Sequence, residues 1–245
     1  MNFQAAGRTH KGMVRSGNED SLLVASDRGV FVVADGMGGH DAGEIASAIV
    51  IAAFKDGTVP VNEETYPWFY MPNHSPEQNF LMACIQAAGQ AIVDQNEAAY
   101  TNMGTTVVAM HVRDDNMVTI GHLGDSRIYR LQRGTLEQLT KDHSAVQELL
   151  DSGYTAEIPP YLMPIITKAV GLKVFEETPT DIYRARPGDI FLLCSDGLSN
   201  ELSNEEITQI LSWDETPDHL ADSLIQKANL NGGHDNVTVI VVKFL

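Results

Sequence analysis

Six apolar, β-branched stretches run through this chain, at 30–34, 105–112, 117–120, 127–131, 190–194 and 237–244. Runs of that length bounded by turn residues read as strands. Several are apolar at consecutive positions, which calls for a sheet covered on both faces. Helical patterns lie early and late in the chain, so the expected class is α+β and not alternating βαβ. In the segment after Gly43, the spacing of Ile45, Ile49, Ala52 and Ala53 predicts a one-sided helix. Ser75-Pro76-Glu77-Gln78 and Ser203-Asn204-Glu205-Glu206 are capping boxes that open two more. Thr216-Pro217 opens a last helix, expected to run to about Lys227. Two proline-bearing segments, 56–73 and 151–167, read as long loops, which in a compact domain usually carry function. With no internal repeat and no Gly/Ser linker, residues 1–245 are expected to form a single domain.

Four of the apolar runs meet an aspartate at a turn: Asp35, Asp125, Asp196 and Asp235. Aspartate is a poor strand former and one at a strand end is an ordinary turn residue. Four in one chain suggest carboxylates from separate strands converging at one rim to hold hard divalent cations, as in a metal-dependent hydrolase. The balance of 16 basic against 33 acidic residues, a formal charge of -17, argues against nucleic-acid and anionic-membrane partners. A phosphorylated substrate could approach such a cluster only with cations between. No apolar run approaches the roughly 20 residues that span a bilayer, and Met1-Asn2-Phe3-Gln4 does not open a secretory signal. Cys84 and Cys194 read as buried thiols in a reducing compartment, so the expected location is the cytoplasm.

Arg15-Ser16-Gly17-Asn18-Glu19-Asp20 adds two acids and a guanidinium fork suited to a phosphate. Taken alone it is more simply a polar turn with a surface ion pair. In Asp35-Gly36-Met37-Gly38-Gly39-His40 the glycines admit close backbone approach, so the Gly36 carbonyl and the Asp35 carboxylate could both reach a metal. His40 could donate a proton to a leaving group, although a histidine after glycines is more often a plain turn residue.

Seven motifs then stand in order: Arg15-x-x-Asn18-Glu19-Asp20, Asp35-Gly36-Met37-Gly38-Gly39-His40-x-x-Gly43-Glu44, Gly104-Thr105-Thr106, Gly124-Asp125-Ser126-Arg127, Leu139-Thr140-x-Asp142-His143-Ser144, Ser195-Asp196-Gly197 and His234-Asp235-Asn236. In that order and spacing the chain resembles the metal-dependent Ser/Thr protein phosphatases (PPM, type 2C), in their compact bacterial form. The resemblance implies a central antiparallel β-sandwich flanked by helices on both faces, a four-layer αββα fold. It implies hydrolysis of phosphoserine and phosphothreonine by a water activated between two metal ions, with Mn2+ or Mg2+ favoured over zinc by an all-oxygen ligand set. By matched position, Asp35 bridges the two ions, Asp196 and Asp235 complete one shell, and Glu19 and the Gly36 carbonyl serve the other. Asp20 holds metal-bound waters and Arg15 grips the substrate phosphate. Asp125, with Asp196, matches a weaker third site, and His40 or a metal-bound water protonates the leaving group. Asn236 is expected to orient Asp235 or a bound water. Residues 145–166 match the family's flap, with His143 as its anchor, and 56–73 looks like an insertion, a docking surface or a loop tucked onto the body.

The chain departs from the family pattern at Lys168, where an arginine is frequent, and at Ser199-Asn200, where an acid is frequent. The implied partners are phosphorylated proteins, the targets of a separate Ser/Thr kinase, and the implied state is a monomer. Two other functions are open to the same residues: a catalytically silent phosphoprotein-binding regulator, and a metal-dependent hydrolase of small phosphoesters.

Overall fold

The computed structural model describes residues 2–38, 42–56, 70–99, 102–172 and 178–245. His40 and residues 57–69, the bulk of the proposed insertion, lie outside them. Two antiparallel sheets stack face to face. The first runs β1 (Phe3–His10), β11 (Val237–Phe244), β10 (Ile190–Cys194), β7 (Arg127–Gln132) and β8 (Thr135–Gln138) in spatial order. The second runs β2 (Asp20–Ala25), β3 (Val30–Met37), β5 (Val107–Val112), β6 (Met117–Leu123) and β9 (Thr180–Arg184), with the short β4 (Gly104–Thr105) paired to the end of β3.

The unbroken apolar runs are explained by the layers. Successive side chains on a strand face opposite ways, and here both ways are covered. On β3, Phe31 and Val33 enter the space between the sheets, beside Phe191, Leu193, Ile240 and Val242. Val30, Val32 and Ala34 face outward onto α1 (Ala42–Asp56) and α2 (Pro76–Ala99). On β10 and β11, Leu192, Cys194, Val239 and Val241 face the other way, under α4 (Asp196–Ser199), α5 (Asn204–Leu211) and α6 (Pro217–Asn231). The expected four-layer αββα sandwich is therefore the observed one. Both cysteines are buried and unpaired.

Local signals held where the chemistry is local. In the Ser75 box, Gln78 N donates to Ser75 Oγ at 3.2 Å and Ser75 N to Gln78 Oε1 at 3.0 Å. The Ser203 box is reciprocal too, and Thr216 caps α6, which runs to Asn231, a turn beyond the expected end. The segment expected as a flap holds α3 (Ala145–Asp151) and a short 3-10 turn at Pro160–Leu162, and its ends meet in a Ser144–Ile166 bridge.

The stripe assigned to α1 is out of phase. Ile45 is 42% exposed, while Ala46, Val50 and Phe54 are buried, and Phe54 meets Phe80 of α2 edge-on at 6.2 Å. Apolar residues lie all round α1, so periodicity could not choose the face, and the docking of Phe54 did. The expected strand at 105–112 is also broken at Thr106, which serves the site below. Among the described residues no helix is long and apolar enough to cross a membrane.

The α1 phase gives a direct stability test. Phe54→Ala should cost about 3–5 kcal/mol, and Ile45→Ala no more than about 0.5 kcal/mol, both from urea unfolding. Equal losses would refute the packing face.

Candidate metal centre

At one end of the sandwich the interior rows stop being apolar. Asp35 continues the inward phase of Phe31 and Val33 on β3, and Asp20 continues that of Val24 and Leu22 on β2. The strand register sets Asp20 directly opposite Asp35. Like charges in that position destabilise a strand pair, so the arrangement favours a proton or a cation between them.

Other strand ends add to the pair. Ser195, just past β10, is wholly buried; its Oγ donates to Asp20 Oδ2 at 2.8 Å and accepts from Thr238 N at 3.0 Å. Asp196 follows, opens α4, and accepts from Asn200 Nδ2 at 3.1 Å, with the Asp35 carboxyl close by. The main chain of Asp35 is held from its other side. Thr105 Oγ1 and Thr106 N both donate to Asp35 O, at 2.9 and 2.8 Å, and Asp35 N donates to Thr106 Oγ1. The same Thr106 hydroxyl meets Ser126 Oγ at 2.7 Å, next to Asp125.

A second group forms at the N-terminal loop. Arg15 Nη2 donates to Asp235 Oδ2 at 2.7 Å across an exposed rim. Asn236 holds Asp235 as expected, through its backbone N–H to Asp235 Oδ1 at 2.8 Å, and it does more. Its side chain accepts from Glu19 N at 2.8 Å and donates to Lys11 O and Gly17 O at 3.0 and 2.9 Å. Only its backbone N–H reaches Asp235, so it shapes the loop that carries Arg15 and Glu19. Gly36 and Gly43 let that loop close in: a methyl on Gly36 would overlap the Gly43 carbonyl, and one on Gly43 would overlap the Glu19 carboxylate. His143, just ahead of the segment 145–166, accepts from Gly124 N at 3.1 Å and stacks on His122 with ring centroids 4.8 Å apart.

Burial, with help from neighbouring acids, shifts these carboxyls together. Asp20 is pushed up to about 7 by burial first and by Asp196 and Asp235 second, against hydrogen bonds from Thr238 and Ser195. Asp125 is also pushed up to about 7, by burial and by Asp196. Burial raises Asp196, with Asp235 adding to it. Asp35 is held well above the usual range by burial and then by Asp20, Asp196, Asp125 and Asp235.

The donor set fits a hard divalent cation. It is all oxygen and anionic, and Asp20 Oδ1 and Asp125 Oδ1 are both buried with no hydrogen-bond partner. Among the described residues no three His, Cys, Asp or Glu side chains stand as a ready-formed cage. The acids are neighbours by charge.

Residues 7–231 match the family model described as Protein phosphatase 2C, and the chain belongs to that family. It is 36% identical over 253 residues to the Serine/threonine phosphatase stp of Listeria monocytogenes serotype 4b (strain F2365), across 98% of this chain and 96% of that protein. The fold is similar to that of PppA, a key regulatory component of T6SS in Pseudomonas aeruginosa, with a TM-score of 0.86 and 32% identity over 100% of this chain and 99% of that one. It is also similar to the catalytic domain of the serine threonine protein phosphatase PstP in complex with 2 manganese ions, with a TM-score of 0.84 and 37% identity over 100% of this chain and 99% of that one.

The raised carboxyls set a pH dependence for the cation-free protein. A carboxyl whose folded value lies above its unfolded one takes up a proton on folding, so stability falls as pH rises through the window between them. For Asp20 and Asp125 that window runs from the ordinary carboxylate range to about 7. Urea unfolding in chelator should show stability decreasing across it, with a shallower decrease in Asp20→Asn. A rise would contradict the assignment.

Proposed function

We propose that this chain is a Mn2+- or Mg2+-dependent protein phosphatase that hydrolyses phosphoserine and phosphothreonine. The observation that carries it is the cross-strand opposition of Asp20 and Asp35 at the sandwich end, joined there by Asp196, Asp125 and the Arg15–Asp235 pair. A bound pair of such cations supplies a water of lowered pKa and positive charge for the phosphoryl transition state.

The chain's own groups do the rest. Asp35 is assigned as the bridging ligand, because its main chain is fixed by Thr105 and Thr106 and its carboxylate faces the other acids. By their motifs, Asp196 and Asp235 would complete one shell, and Glu19 and the Gly36 carbonyl would serve the other. Asp20, whose Oδ2 accepts from Ser195, would hold metal-bound waters through its other oxygen. A third, weaker ion is assigned to Asp125 and Asp196, where Asn200 binds Asp196 in place of a further acid. Arg15 makes one bond to Asp235, and its remaining N–H groups carry no hydrogen bond among the described residues. It is the group proposed to orient the phosphate. His40 is assigned from its motif as proton donor to the leaving oxygen. Phosphoproteins made by a separate kinase are the proposed substrates.

A Mn2+-supplemented assay on a phosphothreonine peptide tests this. Wild type should turn over, Asp35→Asn and Asp196→Asn should lose nearly all activity while remaining folded by circular dichroism, and Arg15→Ala should raise KM more than it lowers kcat. Near-normal activity in Asp35→Asn would refute the bridging assignment. Hydrolysis of aryl phosphate without phosphopeptide would favour a small-molecule enzyme, and no hydrolysis at all a silent phosphoprotein binder.

A further inference from the structure

Asp196 and Asp235, assigned above to one shell, stand on separate segments. Asp196 opens α4, and Asp235 sits in the turn between α6 and β11. Whatever joins those segments sets the spacing of the two carboxylates. Part of the joint is main chain: a methyl on Gly197 would overlap Asn236 O, so α4 lies hard against the start of β11. That contact does not fix the turn ahead of Asp235. Gly232 and Gly233 there have φ of 149° and 55°, a backbone that glycine enters and leaves at little cost.

Glu201 closes that turn. It lies just past α4, one residue after Asn200, which binds Asp196. Its Oε1 accepts from His234 N at 3.0 Å and from His234 Nδ1 at 2.7 Å. A carboxylate only accepts, so the ring nitrogen is the donor. The Glu201 main-chain carbonyl accepts from Asn231 Nδ2 at 2.8 Å. Glu201 therefore holds the glycine pair from both sides, at Asn231 and at His234. A methyl on Gly232 would overlap the His234 ring, which folds back over the turn.

An ion pair open to water contributes little to stability, but the Glu201 side chain is only 9% exposed, against 75% for that of His234. The opposite side of the turn is held by the N-terminal loop, where Met13 N donates to Gly233 O at 2.7 Å and Arg15 to Asp235 Oδ2. Glu201 ties the same turn to α4 instead, the segment that carries Asp196. We propose that Glu201 is a positioning residue: through His234 it fixes the turn carrying Asp235 relative to Asp196, so that both carboxylates serve one divalent cation. This rests on the function proposed above, through the ligand roles of Asp196 and Asp235.

Two readouts on the full chain test it: manganese affinity by calorimetry, and amide exchange across 232–236 by NMR in chelator. The Asn236 amide donates to Asp235 Oδ1 and so reports on Asp235 itself. Glu201→Ala should speed exchange at His234 and Asn236 and weaken manganese binding about tenfold, the scale of losing a ligand's outer partner. Glu201→Gln keeps an oxygen acceptor for His234 N and should recover most of both. His234→Ala alters a mostly exposed side chain, so it should fold even where Glu201→Ala does not, and should weaken manganese binding about threefold. His234→Asn restores a side-chain donor and should lie closer to wild type. Unchanged manganese affinity in Glu201→Ala, or in His234→Ala where the first variant does not fold, would overturn the proposal even if exchange rose. An equal loss in Glu201→Ala and Glu201→Gln would assign the effect to charge and overturn positioning. A wild type that takes up no manganese contradicts the function proposed above, while exchange in chelator still decides whether Glu201 holds the turn.

Discussion

The register between β2 and β3 is the constraint on which the site depends. A one-residue slip would turn Asp20 outward and Leu22 and Val24 with it, since strand side chains alternate with a period of two. The apolar interior therefore enforces the opposition of two carboxylates that would otherwise repel. Hydrophobic burial between the sheets thus holds a charge arrangement that neither residue would adopt by itself.

That arrangement needs rigid supports, and they are small hydroxyl residues. Ser195 ties Asp20 to β11 through Thr238, while Thr105 and Thr106 hold the Asp35 main chain and reach Ser126. All are buried. A hydroxyl can donate to one partner and accept from another within one small volume, so each joins two strands with little space. The break between β4 and β5 at Thr106 follows from this duty, because its hydroxyl serves Asp35 N and Ser126 in place of a ladder.

Much of this was legible beforehand. The strand runs, the capping boxes and the α+β class follow from short-range patterns, because they depend on residues within a few positions of one another. The acidic residues of the site were visible as strand-end or loop carboxylates. Less visible were β1 and β2, whose half-buried residues are mixed in polarity. The face of α1 was misjudged because its apolar residues encircle the helix. Ser195 and Thr106 carried a weak signal, their place inside acidic motifs, and Thr238 carried none.

What the sequence by itself determined was the inventory: strands apolar on both faces, a set of carboxylates and their order along the chain, each a consequence of local composition. Tertiary structure alone decided which of those oxygens face one another. Asp20 meets Asp35 through strand register, Arg15 meets Asp235 across 220 positions, and Asn236 folds the N-terminal loop onto the last strand. Such pairings have no periodic trace in a linear chain, because they arise from the packing of two whole sheets against each other.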